Sequence, residues 1–278
     1  MGLVKKFDRT TIGKVNVELF EAPAEVVEEN KRRSLTDTRF HDMPNYRISK
    51  SDYGVDSYAE AMELMEKGYQ ANVEKLDNFD SDLQGIEKRI TFANDVVGYA
   101  PVVPLAIMGV PNCMMNSRQK PIKAKVLDVY YDMTARWGTT PDQFIKAGQK
   151  MLSAIMQLEM QGYKFNLYTT QSYYDSGLGT DMLAVKIKGS NEPLNIKRMS
   201  FAIAHTAFFR VVGWDWYSRF PIGTYREGYG TSPFYSRDKD EVSQAFREMF
   251  GDNAVCFSAT ELIDKNIETV KELLTSKE

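Results

Sequence analysis

Polar side chains that could bind a ligand follow a predicted strand near the middle of the chain. The run from Val126 to Tyr131 is rich in β-branched and aromatic residues, as buried strands are. The next residues, DMTARWGTT, offer a carboxylate, two hydroxyls and a guanidinium group, carried by Asp132, Thr134, Thr139 and Arg136. Ligands of open α/β sheets bind outside the carboxyl ends of the strands, and the N-terminus of a following helix favours anions. The loop is therefore the first candidate ligand site, and capping of the helix is the alternative role of the same residues.

The spacing Asp132-x-Thr134 raises the question of a divalent cation. It resembles the start of the metal-dependent adhesion motif of von Willebrand factor A domains, Asp-x-Ser-x-Ser, which also follows the first strand and precedes a helix. Arg136 stands where that motif has its last hydroxyl, and a guanidinium group repels Mg²⁺, whose ligands are oxygens. The resemblance implies a von Willebrand A-like or Rossmann-like core and leaves the metal undecided.

A second carboxylate, Asp215, follows the run VVGW and is predicted to lie at the end of a strand. If Asp132 and Asp215 converged, they could share a cation in a metal-dependent hydrolase or phosphotransfer enzyme. A lone Asp between two tryptophans is otherwise a turn or capping residue.

The segment from Thr224 to Ser236, TYREGYGTSPFYS, has the aromatic, Gly-rich composition of a functional loop. Its side chains could stack on the bases of a single-stranded nucleic acid or contact a protein. The candidate residues are Tyr225, Arg226, Tyr229, Phe234, Tyr235 and Arg237. Alternatively, the loop folds back on the domain through its own aromatic side chains.

The sequence lacks the features that identify several common classes of protein. It has no G-x-x-x-x-G-K-[ST], no G-x-S-x-G and no H-E-x-x-H, and its two histidines and two cysteines do not have zinc-ligand spacing. A net charge of −3 gives no overall basic field for nucleic acid, although a local basic groove is compatible with it. The longest apolar run, residues 96–110, is interrupted by Gly and Pro and is shorter than the ~20 residues that span a bilayer, so we expect no membrane contact.

The candidate loop is positioned by a strand–helix–strand unit. Thr140 is predicted as the N-cap of the helix, with Pro141 at its first position and Gln143 closing a capping box. Gly162 is predicted as the left-handed residue that ends it. A second strand, residues 163–169, follows. Apolar side chains at helical spacing give this helix one wide buried face, which includes Phe144, Gly148, Met151, Ile155 and Leu158.

The rest of the chain predicts more alternation of strands and helices. Strands are expected at VNVELF, at 182–187, at VVGW and at 254–257, and helices at 23–33, 57–68, 83–89, from 193 onward, at 241–250 and at 261–274. Residues 98–115 are crowded with Pro and Gly and are predicted to be an extended segment and turn buried against the main domain. The resulting fold class is α/β, with a mostly parallel sheet flanked by helices and an N-terminal helical or extended accessory region. The predicted division is an arm and linker at 1–56, a helical hairpin and Pro/Gly-rich segment packed on the core at 57–120, and an α/β core at 121–278.

Several segments together resemble a family of uncharacterised proteins found mainly in bacteriophage genomes. They are GVPNCM at 109–114, the strand–helix–strand unit ending at Gly162 and Tyr163, PLNI at 193–196, and FAIAH at 201–205. The resemblance covers residues 57–275 and leaves 1–56 outside it. It implies a viral origin, with the host cytoplasm or the virion as the location.

These observations lead to three expectations about function. The first is a non-enzymatic protein that binds another macromolecule, through a protein partner or by self-association. The alternatives are the metal-dependent enzyme and the single-stranded nucleic-acid binder described above.

Overall fold

The computed structural model describes residues 3–9, 13–36, 50–71, 73, 91–118, 125–136, 138–175, 179–213, 215–216 and 231–275. The strands in chain order are β1 (Leu3–Arg9), β2 (Gly13–Phe20), β3 (Thr91–Asp95), β4 (Ala100–Pro101), β5 (Met114–Arg118), β6 (Val126–Asp132), β7 (Lys164–Asp175), β8 (Gly179–Lys188) and β9 (Ala254–Ser258). The α-helices are α1 (Pro23–Thr36), α2 (Lys50–Tyr53), α3 (Tyr58–Lys67), α4 (Val103–Ile107), α5 (Pro141–Met160), α6 (Ile196–Ala204), α7 (Lys239–Phe250), α8 (Ala259–Ile263) and α9 (Ile267–Thr275). A π-helix covers Phe208–Gly213 and a 3₁₀ turn covers Pro233–Tyr235.

The main sheet has six strands in the order β1-β2-β8-β7-β6-β9. The pairs β2–β8, β6–β7 and β6–β9 are parallel, and β1–β2 and β7–β8 are antiparallel. Helices cover both faces, so the prediction of an α/β fold with a mostly parallel sheet and flanking helices is confirmed. At one edge of the sheet, β1 and β2 form an antiparallel pair with β1 outermost.

The β7–β8 hairpin is longer than the sequence predicts. The sequence predicts a loop at residues 172–179 before the strand at 182–187, but residues 172–175 and Gly179 continue the two strands to the pairing of Asp175 with Gly179. The polar side chains of this stretch hide its strand character, yet Ser172 and Thr180 are buried. This extension carries Ser172 to the carboxyl end of β6.

The central helix α5 has the predicted boundaries. Thr140 accepts a hydrogen bond from the backbone of Gln143, whose side chain in turn accepts one from the backbone of Thr140, so the capping box is complete. Gly162 has a φ of 101° and ends the helix. The predicted apolar face is buried in the larger of two hydrophobic clusters, where it contacts the main sheet and the helices α6, α8 and α9.

The segment after α6 differs from its prediction. Val211 and Val212 were expected in a strand, but they lie in the π-helix, which packs between α3 and β7. Its C-terminal Gly213 lies against Gln171, where a Cβ atom would come within 2.3 Å of the Gln171 side chain. Burial on all sides overrides the β propensity of the two valines. The expected strand end before Asp215 is therefore wrong.

Residues 91–118 form a separate small sheet in the order β3-β5-β4, and its strands hydrogen-bond only with one another. The prediction that residues 98–115 are buried against the main domain is wrong, because no residue from 94 to 116 is buried. Pro101 and Pro104 do exclude a regular central strand, as expected. They lie instead in a two-residue edge strand and in the first turn of α4.

The N-terminal region is part of the fold. β2 is an inner strand of the main sheet, and Val26 and Val27 of α1 lie in the larger hydrophobic cluster. The predicted helix at 57–68 is observed as α3, with Ser57 as its N-cap and Gly68 after its last residue. The predicted linker residues 37–49 and the helix predicted at 83–89 lie outside the described residues.

The close approach of α3 and α6 gives a test of the packing. Gly68 has a φ of 79°, and a Cβ atom there would lie 1.8 Å from the carbonyl oxygen of Lys197. Gly109 has a similar φ of 70° but no atom within 4 Å of its Cβ position. We predict that Gly68→Ala lowers the free energy of unfolding by more than about 3 kcal/mol, and Gly109→Ala by about 1 kcal/mol, in urea denaturation. Equal losses would contradict this packing.

His205 gives a pH test of the same region. It ends α6 inside an aromatic environment, and its Nδ1 accepts a hydrogen bond of 3.1 Å from the backbone N–H of Ala207. Burial lowers the pKa of His205 from 6.5 to about 4, so between these values the unfolded chain binds a proton that the folded chain does not. Stability contributed by neutral His205 is therefore complete above pH 6.5 and lost as the pH falls toward 4.

We predict that His205→Asn, which keeps an acceptor for Ala207, flattens the dependence of the unfolding free energy on pH between 6.5 and 4. The wild-type slope should exceed that of the variant by up to about 1.4 kcal/mol per pH unit. Parallel curves from urea denaturation at several pH values would contradict the buried neutral histidine.

Candidate functional site

Asp132 lies at the carboxyl end of β6, where the parallel strand β9 also ends and the parallel strand β7 continues past both. In the strand register Asp132 is beside Thr170 of β7 and Ser258 of β9, and all three side chains are fully buried. Alternation along β6 places Asp132 on the same face as Tyr130, which packs in the smaller hydrophobic cluster with α7 and the 3₁₀ turn. The sequence prediction that this loop begins at the carboxyl edge of the sheet is thus realised in the fold.

Four hydrogen bonds converge on the Asp132 carboxylate. Its Oδ1 atom accepts from the backbone N–H of Thr134 at 3.2 Å and from the Thr134 hydroxyl at 2.8 Å. Its Oδ2 atom accepts from the hydroxyls of Ser172 and Ser232, both at 2.5 Å. We call these four residues the Asp132 cluster. Its donors come from three segments that are distant in sequence: the loop after β6, the strand β7 and the turn before α7.

Thr134 adds a direct connection between the loop and β7. Its hydroxyl accepts a hydrogen bond of 2.8 Å from the backbone N–H of Ser172 and lies 3.1 Å from the Ser172 carbonyl oxygen. Burial raises the pKa of Asp132 above its ordinary value, and the donated hydrogen bonds from Ser172, Ser232 and Thr134 oppose that increase. The cluster thus compensates a buried carboxyl group with neutral donors and holds the loop on the sheet.

Ser172 and Ser232 are functional partners that sequence analysis missed. Ser172 was assigned to a loop, and Ser232 stood inside an aromatic segment whose polar residues carried no spacing signal. Ser232-Pro233 is a recognisable start for a short helical turn, and Ser232 does accept a hydrogen bond from Phe234 N–H as its N-cap. Nothing in that local pattern indicates contact with a residue one hundred positions earlier.

The other two predicted loop residues do not contact the carboxylate. Arg136 is exposed, and its carbonyl oxygen accepts a hydrogen bond of 2.9 Å from Thr139 N–H, which closes a turn. The carbonyl oxygen of Thr139 accepts from Nη2 of the buried Arg210 at 3.0 Å. The structure therefore brings Asp132 and Thr134 together and places Arg136 and Thr139 in the turn that leads to α5.

Asp132 and Asp215 lie on opposite faces of the sheet. Asp215 is buried and accepts a hydrogen bond of 2.8 Å from the hydroxyl of Tyr58, at the start of α3. The next residue, Trp216, belongs to the larger hydrophobic cluster and donates to Glu18 of β2 at 2.6 Å. Asp132 faces the smaller cluster, so the two carboxylates have separate surroundings and no common hydrogen-bond partner among the described residues.

The described part of the chain contains no group of three or more His, Cys, Asp or Glu side chains that could hold a metal ion. Oxygen donors of another kind do meet at Asp132, namely three hydroxyls. Their hydrogens already point to the carboxylate oxygens that a cation would need, so the arrangement supports a structural role for the cluster. Within the described ranges, no helix is both long and apolar enough to cross a membrane.

The predicted aromatic loop divides into parts with different exposure. Tyr225, Arg226 and Tyr229 lie outside the described residues. Phe234 is 3% exposed and packs edge-on against Phe246 of α7, with ring centroids 5.2 Å apart, so it cannot stack on a nucleic-acid base. Tyr235 is 56% exposed, and the exposed Arg237 lies 3.7 Å from Asp238.

The small sheet carries an exposed apolar surface that sequence analysis did not predict. Of the nine large hydrophobic side chains with high exposure in the described ranges, seven lie in residues 96–110, in helix α4 and the turns that connect the strands of this sheet. They are Val96, Val97, Tyr99, Val103, Ile107, Met108 and Val110, and we call them the apolar sheet surface. Residues 96–117 contain no charged side chain. The uncharged run was visible in the sequence, but an apolar composition alone predicts a buried segment and not an exposed surface.

A family model for a domain of unknown function, DUF7192, matches residues 11–269. The chain belongs to this family. The match includes the Asp132 cluster, the small sheet and most of the N-terminal region. The expectation that the family resemblance starts at residue 57 is therefore wrong, and the reason is structural, since β2 and α1 belong to the main sheet and its core. No curated protein and no solved structure matches the chain.

The Asp132 cluster predicts an asymmetry between two carboxylates on the same strand. Asp132→Ala leaves three buried hydroxyls without their acceptor and should lower the free energy of unfolding by about 3–5 kcal/mol. Asp128→Ala is the matched control, because the half-buried Asp128 accepts one side-chain hydrogen bond, from Asn166 at 2.7 Å, and its loss should cost about 1 kcal/mol. Asp132→Asn retains one acceptor oxygen and should fall between the two. Similar losses for Asp132→Ala and Asp128→Ala in urea denaturation would refute the structural role.

Proposed function

We propose that this protein is a non-enzymatic binding module that attaches to another macromolecule through the apolar sheet surface. The observation that carries the proposal is the exposure of seven large hydrophobic side chains within residues 96–110, an uncharged stretch that connects the strands of the small sheet. Monomeric proteins rarely expose contiguous apolar patches beyond a few hundred Å², and larger patches mark interaction sites.

The size of the surface fits that role. A large aliphatic side chain contributes on the order of 60–120 Å² when fully buried, as its transfer free energy at ~25 cal/mol per Å² implies. The seven side chains are between 36% and 81% exposed. Together they present roughly 300–500 Å² of apolar side-chain area, which is in the range of the functional patches on protein surfaces.

The carboxyl edge of the main sheet supports a non-enzymatic reading. This is where an open α/β sheet holds its ligand, yet Asp132 is fully buried and each of its oxygens accepts two hydrogen bonds. Catalytic carboxylates must contact a substrate or a reacting water. The carboxylate at this edge instead ties three chain segments together.

A von Willebrand A-like core is part of the proposal. Its support is the order β8-β7-β6-β9, in which Asp132-x-Thr134 follows a central parallel strand and precedes the long helix α5. In the Asp-x-Ser-x-Ser motif the last residue is a serine, and this chain has Arg136 there. The further hydroxyls next to Asp132 come instead from Ser172 and Ser232. A phage origin, with action in the host cell or virion, rests on the sequence resemblance described above.

The two other candidate functions lack a comparable observation. A shared catalytic metal needs Asp132 and Asp215 at one cation, and these residues face opposite sides of the sheet. For the nucleic-acid hypothesis, Phe234 of the 224–237 segment is buried in the core and cannot stack on a base. Tyr235 and Arg237 are exposed.

Capture by the purified chain tests the binding proposal. We predict that macromolecules retained by immobilised wild-type protein remain bound in 1 M salt, because an uncharged apolar contact is not screened. The Val97→Asp variant should no longer retain these macromolecules. The control variant Tyr235→Ser, which changes an exposed aromatic side chain elsewhere, should still retain them. Mass spectrometry of the retained material gives the comparison. Equal retention by both variants would remove the small sheet from the proposal.

A further inference from the structure

We infer that the occupant of the apolar sheet surface is a second copy of this chain, which places its own residues 96–110 against those of the first about a two-fold axis. This inference rests on the proposed function, because it identifies the partner of the same surface. Four observations carry it: the construction of the small sheet, the lack of charge in residues 96–117, the absence of a matching surface elsewhere in the described ranges, and the area of the exposed side chains.

The small sheet is too slight to be stable without a cover. Its strands have five, two and five residues, and none of the residues of helix α4 between them is buried. Neither hydrophobic cluster includes a residue from 94–116, the part of this region whose side chains are described. Small sheets need packing against another layer for independent stability, so an ordered sheet with this composition requires a partner surface.

The chemistry of the surface selects an uncharged apolar partner. Residues 96–117 carry no Lys, Arg, Asp or Glu, and their polar side chains are limited to Asn112, Asn116, Ser117 and the hydroxyl of Tyr99. A partner with charged groups at the contact would have them desolvated without an opposite charge, at a large free-energy cost. Nucleic acid is a poor fit for the same reason, since its phosphates find no cation here.

A second copy meets this requirement through self-complementarity. In a two-fold interface the same patch is used by both subunits, so an uncharged patch meets an uncharged patch and no like-charge repulsion arises. Outside the small sheet, the described residues offer only two strongly exposed large hydrophobic side chains, Val126 and Tyr235. Neither can form a contact of comparable extent, so among the described residues the matching face on another copy is the apolar sheet surface itself.

The area sets the expected strength. A stable complex typically buries about 800 Å² per partner, and the apolar side chains supply roughly half of that. The neighbouring backbone and polar side chains of residues 94–118 would provide the rest. β3 and β4 are the two outer strands of the small sheet, so each has one edge that does not pair with another strand of this sheet. We therefore expect a dimer that dissociates on dilution in the micromolar range.

Sedimentation velocity of the full chain from about 1 to 200 µM provides the main test. The wild type should convert from monomer to dimer across this range, more completely with added sulfate, which strengthens apolar burial. Val97→Asp and Ile107→Asp, at side chains that are 74% and 81% exposed, should each raise the dissociation constant about 30-fold or more. Val126→Asp, at an exposed side chain of β6, adds the same charge outside the surface and should leave it unchanged.

Chemical crosslinking at the two native cysteines locates the contact without changing the apolar residues. Cys113 directly precedes β5 of the small sheet and Cys256 lies in β9 of the main sheet, and both thiols are partly exposed. In a Cys256→Ser background, a short bis-maleimide should join two chains through Cys113. In a Cys113→Ser background, joining through Cys256 should be absent.

A chain that stays monomeric over the whole range overturns the inference, and so does a dimer that survives both Val97→Asp and Ile107→Asp. Monomeric chain that floats with phosphatidylcholine vesicles, or that is captured by a different protein through Val97, also overturns self-association. Vesicle flotation or capture by a different protein would still agree with the proposed binding function. Failure of all binding through the small sheet would contradict both the binding function and self-association.

Discussion

The buried carboxylate of Asp132 is the constraint on which the organisation of this fold depends. A carboxyl group at the carboxyl end of a central strand, with no exposure to water, requires hydrogen-bond partners from the protein itself. They come from Thr134 in the adjacent loop, from Ser172 on the extended hairpin and from Ser232 before α7. Because the compensation needs all three segments, the hairpin length, the loop conformation and the packing of α7 are linked through one side chain.

This constraint leaves the small sheet, rather than the carboxyl edge, as the interaction surface that we propose. The edge that usually receives a ligand is occupied by the protein's own hydroxyls, and the second carboxylate, Asp215, accepts a hydrogen bond from Tyr58 on the other face. Both carboxylates thus have partners within the protein. Most of the strongly exposed apolar side chains of the described ranges are instead concentrated in residues 96–110, and no residue from 94–116 belongs to either core cluster.

Sequence patterns predicted the elements whose signals are local. The α5 helix follows from its cap residues Thr140, Pro141 and Gln143 and from Gly162, and the strands β6 and β9 follow from short apolar β-branched runs. Those elements define the α/β class. The position of Asp132 at a sheet edge followed from the same strand–helix pattern.

The errors arose where tertiary contacts outweigh local preference. The strand expected at Val211 and Val212 is a buried π-helix, and the hairpin continues as strand through Ser172, whose hydroxyl has a buried partner in Asp132. Ser172 and Ser232 could not be assigned to Asp132, since 40 and 100 residues of chain separate them from it. The exposure of residues 96–110 was hidden by the ordinary expectation that apolar runs are buried.

Hydrogen–deuterium exchange at low and high protein concentration tests most directly whether a second copy covers the small sheet. Exchange of the backbone amides in residues 91–118 should slow markedly when the concentration rises from about 1 to 200 µM, while amides of α5 and β7 stay unchanged. Exchange in the small sheet that is fast and identical at both concentrations would contradict this account.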